Sequence, residues 1–366
     1  MGNQDRKLST FIVATLILAS PGLAAVAEQE PEAPFKDTIE VKEVLLDVVV
    51  TDEDGNVIVG LDKGDFRIEE EGREVEIESA SFYSSRQLLE PIFEPGEAPQ
   101  PESSSSPQDS PPEDRYFVLL YFRPLVGSQG DNRLYLRLPE AGKKSFEWVV
   151  QELLPNDHVA VVGFDTALRL HHDFTRDRSR LGRAIERASR GKAPDGRWPS
   201  RTEAPEEGIT LTSLPLGDEL RDETPDIYQA LKMLAKGLGN VRGRKNIILF
   251  GVDFPGENSR RARTDFREMI EALNRRNVAV YSIAVTGRGR QENLDQLAQE
   301  TGGQHLFSFR NFLDPLRNIA RQNSGYYLLS FRSEHPAGES GYRELAVSTT
   351  NEEFEARARG GYSFGD

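Results

Sequence analysis

From residue 115 onward, short apolar segments alternate with amphipathic helical segments, and this alternation constrains the fold more than any other feature of the chain. Residues 115–121 read RYFVLLY. Such a continuous apolar run is typical of a strand that is buried on both faces of a sheet. Further strands are predicted at 158–164, 246–251, 278–285 and 305–309. Strands that alternate with helices form parallel βαβ units. The sequence therefore predicts a Rossmann-like α/β fold, mostly parallel, with helices on both faces of the sheet.

The predicted helices occupy the segments between these strands. One helix precedes Pro155, and Phe146, Val149, Val150 and Leu153 are predicted to share one of its faces. Another is predicted to begin near Thr224 and Pro225, with Thr224 as the cap and Pro225 at the first helical position. The remaining helices are predicted at about 176–190, 260–275, 291–300 and 311–322. Residues 166–174 are predicted to form a paired edge strand.

Two groups of β-type segments flank the α/β region. The first group covers about 41–51, 65–70 and 74–83, with a tight turn at Asp54 and Gly55. The second group reads YYLLSFRS, ELAVSTT and FEARARGGY, after residue 325. Three strands make only a marginal sheet by themselves, and domain termini usually lie close together. We therefore predict that the two groups combine into one β-sandwich, with the α/β domain inserted between them.

The composition of the remaining segments sets the predicted domain boundaries. Residues 90–114 are rich in Pro, Ser and acidic residues, which is typical of a disordered linker. The loop at 191–223 is unusually long for a compact domain. The predicted order is a signal peptide at 1–27, a leader at 28–40, an N-terminal β module at 41–89, the linker at 90–114, the α/β domain at 115–323 and a C-terminal β segment at 324–366.

The first 27 residues have the pattern of an export signal. Arg6 and Lys7 precede an apolar stretch at 11–19, and Ala25-Val26-Ala27 fits a small-residue cleavage site. The apolar stretch is shorter than the roughly 20 residues that span a bilayer as a helix. We therefore expect an exported chain, periplasmic or secreted, without stable membrane insertion after signal cleavage.

Charge and cysteine usage exclude several classes of partner and site. The formal charge of −15 argues against nucleic acid or an anionic membrane surface as an electrostatic partner. The chain has no cysteine, which excludes disulfides, thiolate metal sites and cysteine nucleophiles. No nucleophile elbow, H-E-x-x-H motif or phosphate-binding GxxxxGK motif occurs in the sequence. An enzyme is therefore not expected, and neither is a cofactor.

Several stretches resemble the exported bacterial family of proteins related to von Willebrand factor A (VWA) domains. They are DVVVTDEDGNVIVGLDKGDF (47–66), GRKNIILFGVDFPG (243–256), ALNRRNVAVYSIAVTGRG (272–289), LAQETGG (297–303), YYLLSF (326–331) and FEARARGGY (354–362). This resemblance implies a VWA-type α/β domain with flanking β segments. It implies no particular activity, because the family is defined by its domains.

The resemblance also implies where a divalent cation would be bound, because many VWA domains hold Mg²⁺ with oxygen ligands from three loops. The first loop carries Asp-x-Ser-x-Ser in that pattern, and residues 122–126 (FRPLV) replace it without any ligand. In the second loop Pro225 stands at the Thr position, with Thr224 one residue before it. In the third loop Asp253 follows the predicted strand. Thr224 and Asp253 are therefore the only candidate ligands of the usual set, and we expect no metal.

The edge that carries these loops is also the predicted surface for a protein partner. Phe122 and Arg123 replace the first metal loop, and Trp198 is a possible anchor in the long loop before the next helix. The other candidates for partner binding are Asp253, Arg260 and Arg261. For the 191–223 loop, a disordered insertion remains an alternative, and for the arginines, a solvated helix start.

These observations predict an exported, non-enzymatic protein-interaction module, for adhesion or assembly, with a degenerate VWA site. One alternative is a metal-dependent protein for adhesion or hydrolysis, whose Mg²⁺ or Ca²⁺ is held by a non-standard set that includes Asp131, Asp165 or Asp253. Another is a purely structural component of the envelope.

Overall fold

The computed structural model describes residues 39–84, 114–124, 133–192, 211, 214–215, 218–256, 260, 262–286, 291–307, 311–336 and 338–365. The predicted signal peptide, the leader before residue 39 and all but the last residue of the predicted linker lie outside this part of the chain. Within the described residues, no helix is sufficiently long and apolar to cross a membrane.

The described residues form fourteen strands and seven α-helices. The strands are β1 (Ile39–Thr51), β2 (Phe66–Glu70), β3 (Arg73–Val75), β4 (Ile77–Ser84), β5 (Arg115–Phe122), β6 (Asp157–Phe164), β7 (Leu168–Thr175), β8 (Lys245–Gly251), β9 (Val278–Ala284), β10 (His305–Phe307), β11 (Gly325–Pro336), β12 (Gly341–Thr349), β13 (Glu355–Arg357) and β14 (Gly361–Phe364). The helices are α1 (Arg133–Gln151), α2 (Arg178–Ser189), α3 (Asp218–Glu223), α4 (Ile227–Gly237), α5 (Arg263–Arg275), α6 (Glu292–Glu300) and α7 (Leu313–Gln322).

A six-stranded sheet organises the α/β module. Its strand order is β10-β9-β8-β5-β6-β7, and all neighbours are parallel except β7, which runs antiparallel to β6. In the centre, Leu119 of β5 lies opposite Val161 of β6 and Ile248 of β8. Every residue of β5 is buried, because hydrophobic cores cover both faces of the sheet. The predicted Rossmann-like α/β architecture is confirmed.

Two antiparallel four-stranded sheets form a β-sandwich beside the α/β module. Their strand orders are β13-β1-β11-β4 and β14-β12-β2-β3. The inner faces share one core, in which Leu46, Val48 and Tyr327 of the first sheet pack with Ile68 and Phe66 of the second. The pairing of β1 with β11 and of β2 with β12 joins segments from both ends of the chain. The predicted combination of both groups into one sandwich is therefore confirmed.

Two of the predicted strands are each divided in two, and these predictions were wrong in the same way. The predicted strand 74–83 becomes β3, which pairs with β2, and β4, which pairs with β11 of the other sheet. The predicted strand 354–362 becomes β13, which pairs with β1, and β14, which pairs with β12. In each case the backbone crosses from one sheet of the sandwich to the other, so a single ladder cannot continue.

The predicted apolar face of α1 was also partly wrong. Val149 is buried, but Phe146 and Val150 are 39% and 43% exposed. The face that packs on the sheet instead includes Leu138, Ala141 and Trp148. The prediction at Asp54 and Gly55 is confirmed, since Gly55 has a φ of +77° and its N–H donates to the Asp52 carbonyl at 3.0 Å.

Candidate functional site

The carboxyl ends of β5 and β8 meet where the strand order of the six-stranded sheet reverses. After β5 the chain passes to β6 on one side, whereas β8 lies on the other side of β5 and leads to β9. Open α/β sheets bind ligands in the crevice outside such a switch point. Phe122 ends β5, and Arg123 and Asp253 follow β5 and β8, so the fold brings these three of the six predicted site residues to the expected crevice.

Aromatic side chains fill this crevice. The Phe122 ring is 3% exposed and lies 5.8 Å from the Phe164 ring and 6.0 Å from the Phe254 ring, between centroids. Tyr228, from the start of α4, extends the cluster with a ring 5.8 Å from that of Phe254. Its hydroxyl donates to the Pro255 carbonyl at 2.5 Å, and burial raises the pKa of Tyr228 to about 12. Phe122 is therefore a core residue, not an exposed contact for a partner.

Gly251, at the end of β8, is required by this packing. A Cβ atom on Gly251 would lie 2.9 Å from Cδ1 and 3.0 Å from Cβ of Phe122, which is closer than van der Waals contact. The central strand therefore ends in a large aromatic residue and its neighbour ends in a glycine that leaves space for it. This pairing replaces the polar loop that the resemblance would place here.

Thr224 is completely buried and its hydroxyl is used by the backbone. Oγ1 donates to the Leu220 carbonyl at 2.6 Å and accepts from the Leu168 N–H at 3.0 Å. The prediction that Thr224 caps the following helix was wrong. The helix begins at Ile227, and the cap is Asp226, whose carboxylate accepts from the Gln229 N–H. Thr224 instead ties the end of α3 to the start of β7.

Asp253 caps a helix that is distant in sequence. Its Oδ1 accepts from the Leu294 N–H and its Oδ2 from the Asn293 side-chain amide, both at 3.1 Å. These groups belong to the first turn of α6, which has no side-chain cap of its own at Gln291. Burial raises the pKa of Asp253 above its ordinary value, and these hydrogen bonds partly oppose that rise. Asp253 thus provides an acceptor for a backbone N–H in the first turn of α6, where no intrahelical acceptor is available.

The described residues at this edge do not form a set of ligands for a divalent cation. The described part of the first loop offers Phe122 and Arg123, which supply no side-chain oxygen. Thr224 and Asp253 use their oxygens for backbone and amide hydrogen bonds. Of the alternative ligands, Asp165 pairs with Arg169 at 2.8 Å, and Asp131 lies outside the described residues. Within the described ranges, no cluster of three or more His, Cys, Asp or Glu side chains is arranged for metal binding.

The remaining candidates for partner binding are only partly described. Arg123 is half-buried, and its backbone N–H donates to the Phe164 carbonyl at 2.7 Å. Its guanidinium lies against Gly191, which follows α2. Arg260 is exposed. Trp198 and Arg261 lie outside the described residues. The sequence analysis missed the roles of Phe254 and Tyr228. For Phe254, the sequence did contain a signal: it is an aromatic residue three positions after Gly251, which ends an apolar strand.

Comparison with known proteins gives structural likenesses only. No family model and no curated protein matches the chain. A von Willebrand factor type A protein from Catenulispora acidiphila is 10% identical over 68% of this chain and 64% of its own, with a TM-score of 0.39. BatB from Bacteroides thetaiotaomicron is 13% identical over 57% of this chain and 96% of its own, with a TM-score of 0.36. Proximal thread matrix protein 1 from the mussel byssus is 13% identical over 57% and 47%, with a TM-score of 0.36.

The chain covers less than two thirds of the length of the first of these proteins. Identities and TM-scores at this level say nothing about what the chain binds. The strand order, with its parallel centre and antiparallel edge, is the observation that defines the fold.

Proposed function

We propose that the chain is an exported, non-enzymatic protein-interaction module, related to VWA domains, whose contact with its partner needs no bridging cation. The observation that carries this proposal is the replacement of a polar crevice by the packed rings of Phe122, Phe164 and Phe254. Within the part of the chain that the structure describes, the rings occupy the switch point and no cluster of carboxylates or histidines suited to a cation lies beside them. Contact with a partner then depends on the side chains around the crevice.

Arg123 and the exposed Arg260 both follow strands that end at this edge, on a chain whose total charge is −15. The carboxylates of Asp226 and Asp253 lie near Tyr228 at the same edge, so charges of both signs surround the crevice. A partner whose charges complement this mixed pattern is favoured, because such complementarity guides association and specificity.

The predicted loop at 191–223 is shorter than expected, because 218–223 form α3 and Leu211 and Leu214 are buried. The segment 193–210 with Trp198, outside the described residues, is proposed to supply the apolar part of the contact.

Thermal unfolding with and without cations tests the metal-independent part of the proposal. Millimolar Mg²⁺ or Ca²⁺ is expected to leave the Tm unchanged, since a ligand raises the Tm only if it binds the folded state. An increase of several degrees that Asp253→Ala abolishes would overturn the proposal in favour of the metal-dependent alternative.

A pull-down from the native envelope tests the interaction itself. The intact chain is expected to capture a partner that is lost when residues 193–210 are deleted, a deletion that keeps the buried Leu211, Leu214 and α3. Arg260→Glu is expected to weaken capture more in low salt than in high salt, because salt screens exposed charges. Arg332→Glu is the matched control, because Arg332 is an exposed arginine of β11 in the sandwich. Equal capture by all variants would exclude this edge as the contact, and the absence of any partner would favour a structural envelope component.

A further inference from the structure

A groove of about 580 Å³ lies on the β-sandwich, between β1 of one sheet and β14 of the other. Val44 of β1 and Tyr362 of β14 line it and belong to the core of the sandwich, and Phe364 of β14 packs against that core. The volume lies within the roughly 300–1,000 Å³ of ordinary ligand pockets. The groove is therefore large enough for side chains of a partner, and apolar core residues form part of its lining.

The edge of β1 beside this groove has no neighbouring strand in the described part of the chain. β11 pairs with β1 along 39–48, but on the other edge β13 pairs only with 49–51. After β13 the backbone crosses to the other sheet and forms β14, which pairs with β12. Residues 39–45 of β1 therefore have a strand neighbour on one side only, and the other side is called the open edge of β1 below.

Arg359 marks one end of this open edge. It follows β13, and one of its Nη atoms donates to the Leu45 carbonyl at 2.7 Å, where a neighbouring strand would place a backbone N–H. The Leu45 carbonyl therefore points away from β11. Backbone groups of alternate residues in a strand point to the same side, so those of Val41 and Glu43 also face the open edge.

The side chains along the open edge combine apolar surface with one negative charge. Val41 and Leu45 are 57% and 50% exposed, and the exposed Glu43 lies between them on the same face of the sheet. Arg332 lies opposite Glu43 on β11 but forms an ion pair with Glu78 at 2.7 Å. A further strand would stabilise the sheet most with a basic residue opposite Glu43 and an apolar residue opposite Val41.

We propose that the open edge of β1 binds an extended segment of a partner protein, which adds to the sheet as an antiparallel strand. β1 already pairs antiparallel with both β11 and β13, so an antiparallel strand continues the pattern of this sheet. The segment pairs its backbone with Val41 and Glu43 and carries a basic residue two positions before an apolar one. A further apolar side chain enters the groove beside Val44. Strand addition of this kind takes its affinity from backbone hydrogen bonds and its specificity from alternate side chains.

The charge pattern favours a different protein over a second copy of β1. In antiparallel pairing of two open edges, Glu43 lies opposite a residue of the same backbone orientation, which is Ile39, Val41, Glu43 or Leu45 of the other copy. None of these residues is basic. The groove is also separate from the crevice at Phe122, because its α/β side is lined by Asn277 at the amino end of β9. The proposal therefore does not depend on the protein contact proposed above.

Binding of a synthetic peptide to the full chain tests strand addition. The probe is acetyl-Val-Lys-Thr-Val-Thr-Val-amide with a fluorescent label, measured by anisotropy. N-methylation of its fourth residue removes the N–H that donates to the Val41 carbonyl, and we expect binding to weaken about ten-fold or more. N-methylation of its third residue, whose N–H points away from β1, is the control and is expected to change the affinity less than about three-fold. No saturable binding of the unmodified peptide, or equal effects of both N-methyl groups, overturns the proposal.

A charge exchange locates the peptide on the open edge. Glu43→Lys is expected to weaken the peptide about five-fold, and a peptide with glutamate in place of its lysine is expected to recover the loss. Glu69→Lys is the matched control, because Glu69 is an exposed glutamate of β2, which has strand neighbours on both sides. Its affinity for the peptide is expected to be unchanged. Equal losses in both variants, or the absence of recovery, overturns the proposal.

Sedimentation of the full chain without peptide separates the partner from a second copy. Glu43→Lys is expected to leave the state of association unchanged. A dimer of the unmodified chain that Glu43→Lys dissociates would assign the open edge of β1 to a second copy and overturn the proposal.

Discussion

The two ends of the six-stranded sheet are opposite in chemical character. At the carboxyl end, where α/β folds ordinarily bind ligands, Phe122, Phe164 and Phe254 pack together and the nearby polar groups have internal partners. At the amino end, a cavity remains between the modules, and two of its lining residues, Arg244 and Asn246, each carry a buried polar atom without a hydrogen-bond partner. The comparison shows that polar groups without hydrogen-bond partners need not lie where a fold ordinarily carries its binding site.

The two ends of the sheet differ because different parts of the protein pack against them. Core packing completes the carboxyl end, since the aromatic rings come from the strands, from α4 and from the loop after β8. The amino end faces a second module, and two hydrogen bonds bridge the modules: Arg359 of the sandwich donates to the Asn274 carbonyl of α5, and Asn277 donates to Asp47 of β1. The two modules leave a cavity between them, and Arg115, Arg244 and Asn246 are among the residues that line it.

The largest predicted effect concerns the ion pair at the amino end. Arg115→Met leaves the Asp157 carboxylate buried without its cation, and this is expected to cost about 3–5 kcal/mol in the free energy of unfolding. Urea unfolding measures the loss. Arg190→Met is the control, since its pair with Glu186 is exposed and is worth no more than about 1 kcal/mol. Equal losses in both variants would show that the amino end is not held by this pair.

The packing at the carboxyl end is tested by Gly251→Ala. The new methyl group would overlap Phe122, and we expect a loss of about 1–3 kcal/mol from overpacking. Phe122→Leu in the same chain is expected to recover part of that loss, because a smaller side chain removes the overlap. Urea unfolding of both single variants and the double variant gives the coupling energy. Strict additivity would contradict the predicted contact.

Thr224→Val tests whether the threonine at the predicted metal edge is structural. Valine has a similar volume but leaves the Leu168 N–H without an acceptor, so a loss of about 1–3 kcal/mol is expected. Thr166→Val is the control, because Thr166 is exposed, and a change within about 0.5 kcal/mol is expected there. A Thr224 variant of unchanged stability would reopen a ligand role for this residue.

The smallest effect concerns the pH dependence of Asp253. Because burial raises its pKa, the folded state holds this proton more tightly than the unfolded state. Its contribution to stability is therefore greatest at acidic pH and decreases as pH rises above the ordinary aspartate pKa of about 3.9. Asp253→Asn is expected to flatten this decrease in unfolding experiments between about pH 4 and pH 6. A steeper decrease in the variant would contradict the predicted direction.

The sequence predicted much of the architecture, because the relevant signals are local. The apolar run of β5 and the spacing of the helices identify a parallel α/β sheet, and the turn at Gly55 follows from its neighbours. These local signals gave wrong predictions where strand pairing depends on two segments that are distant in sequence. The divisions between β3 and β4 and between β13 and β14 depend on which sheet each half joins. No local pattern contains that information.

The site shows the same limit. The absence of metal ligands at Phe122 and Arg123 is visible in the sequence, since those side chains carry no oxygen. The helix cap provided by Asp253 is not visible, because its partners Asn293 and Leu294 are about 40 residues away. A carboxylate near a strand end has the same local context whether it holds a cation or a helix terminus.

By itself, the sequence determined the classes of element, the order in which they occur and the presence of Phe122 and Arg123, without a side-chain oxygen, at the end of β5. These properties depend on side-chain chemistry and on periodicities of a few residues. Only the tertiary structure decided that Phe122 belongs to the core, that Thr224 and Asp253 have internal partners, and that Arg244 and Asn246 line a cavity between modules. The physical reason is that burial and hydrogen-bond satisfaction depend on which distant segments approach a residue.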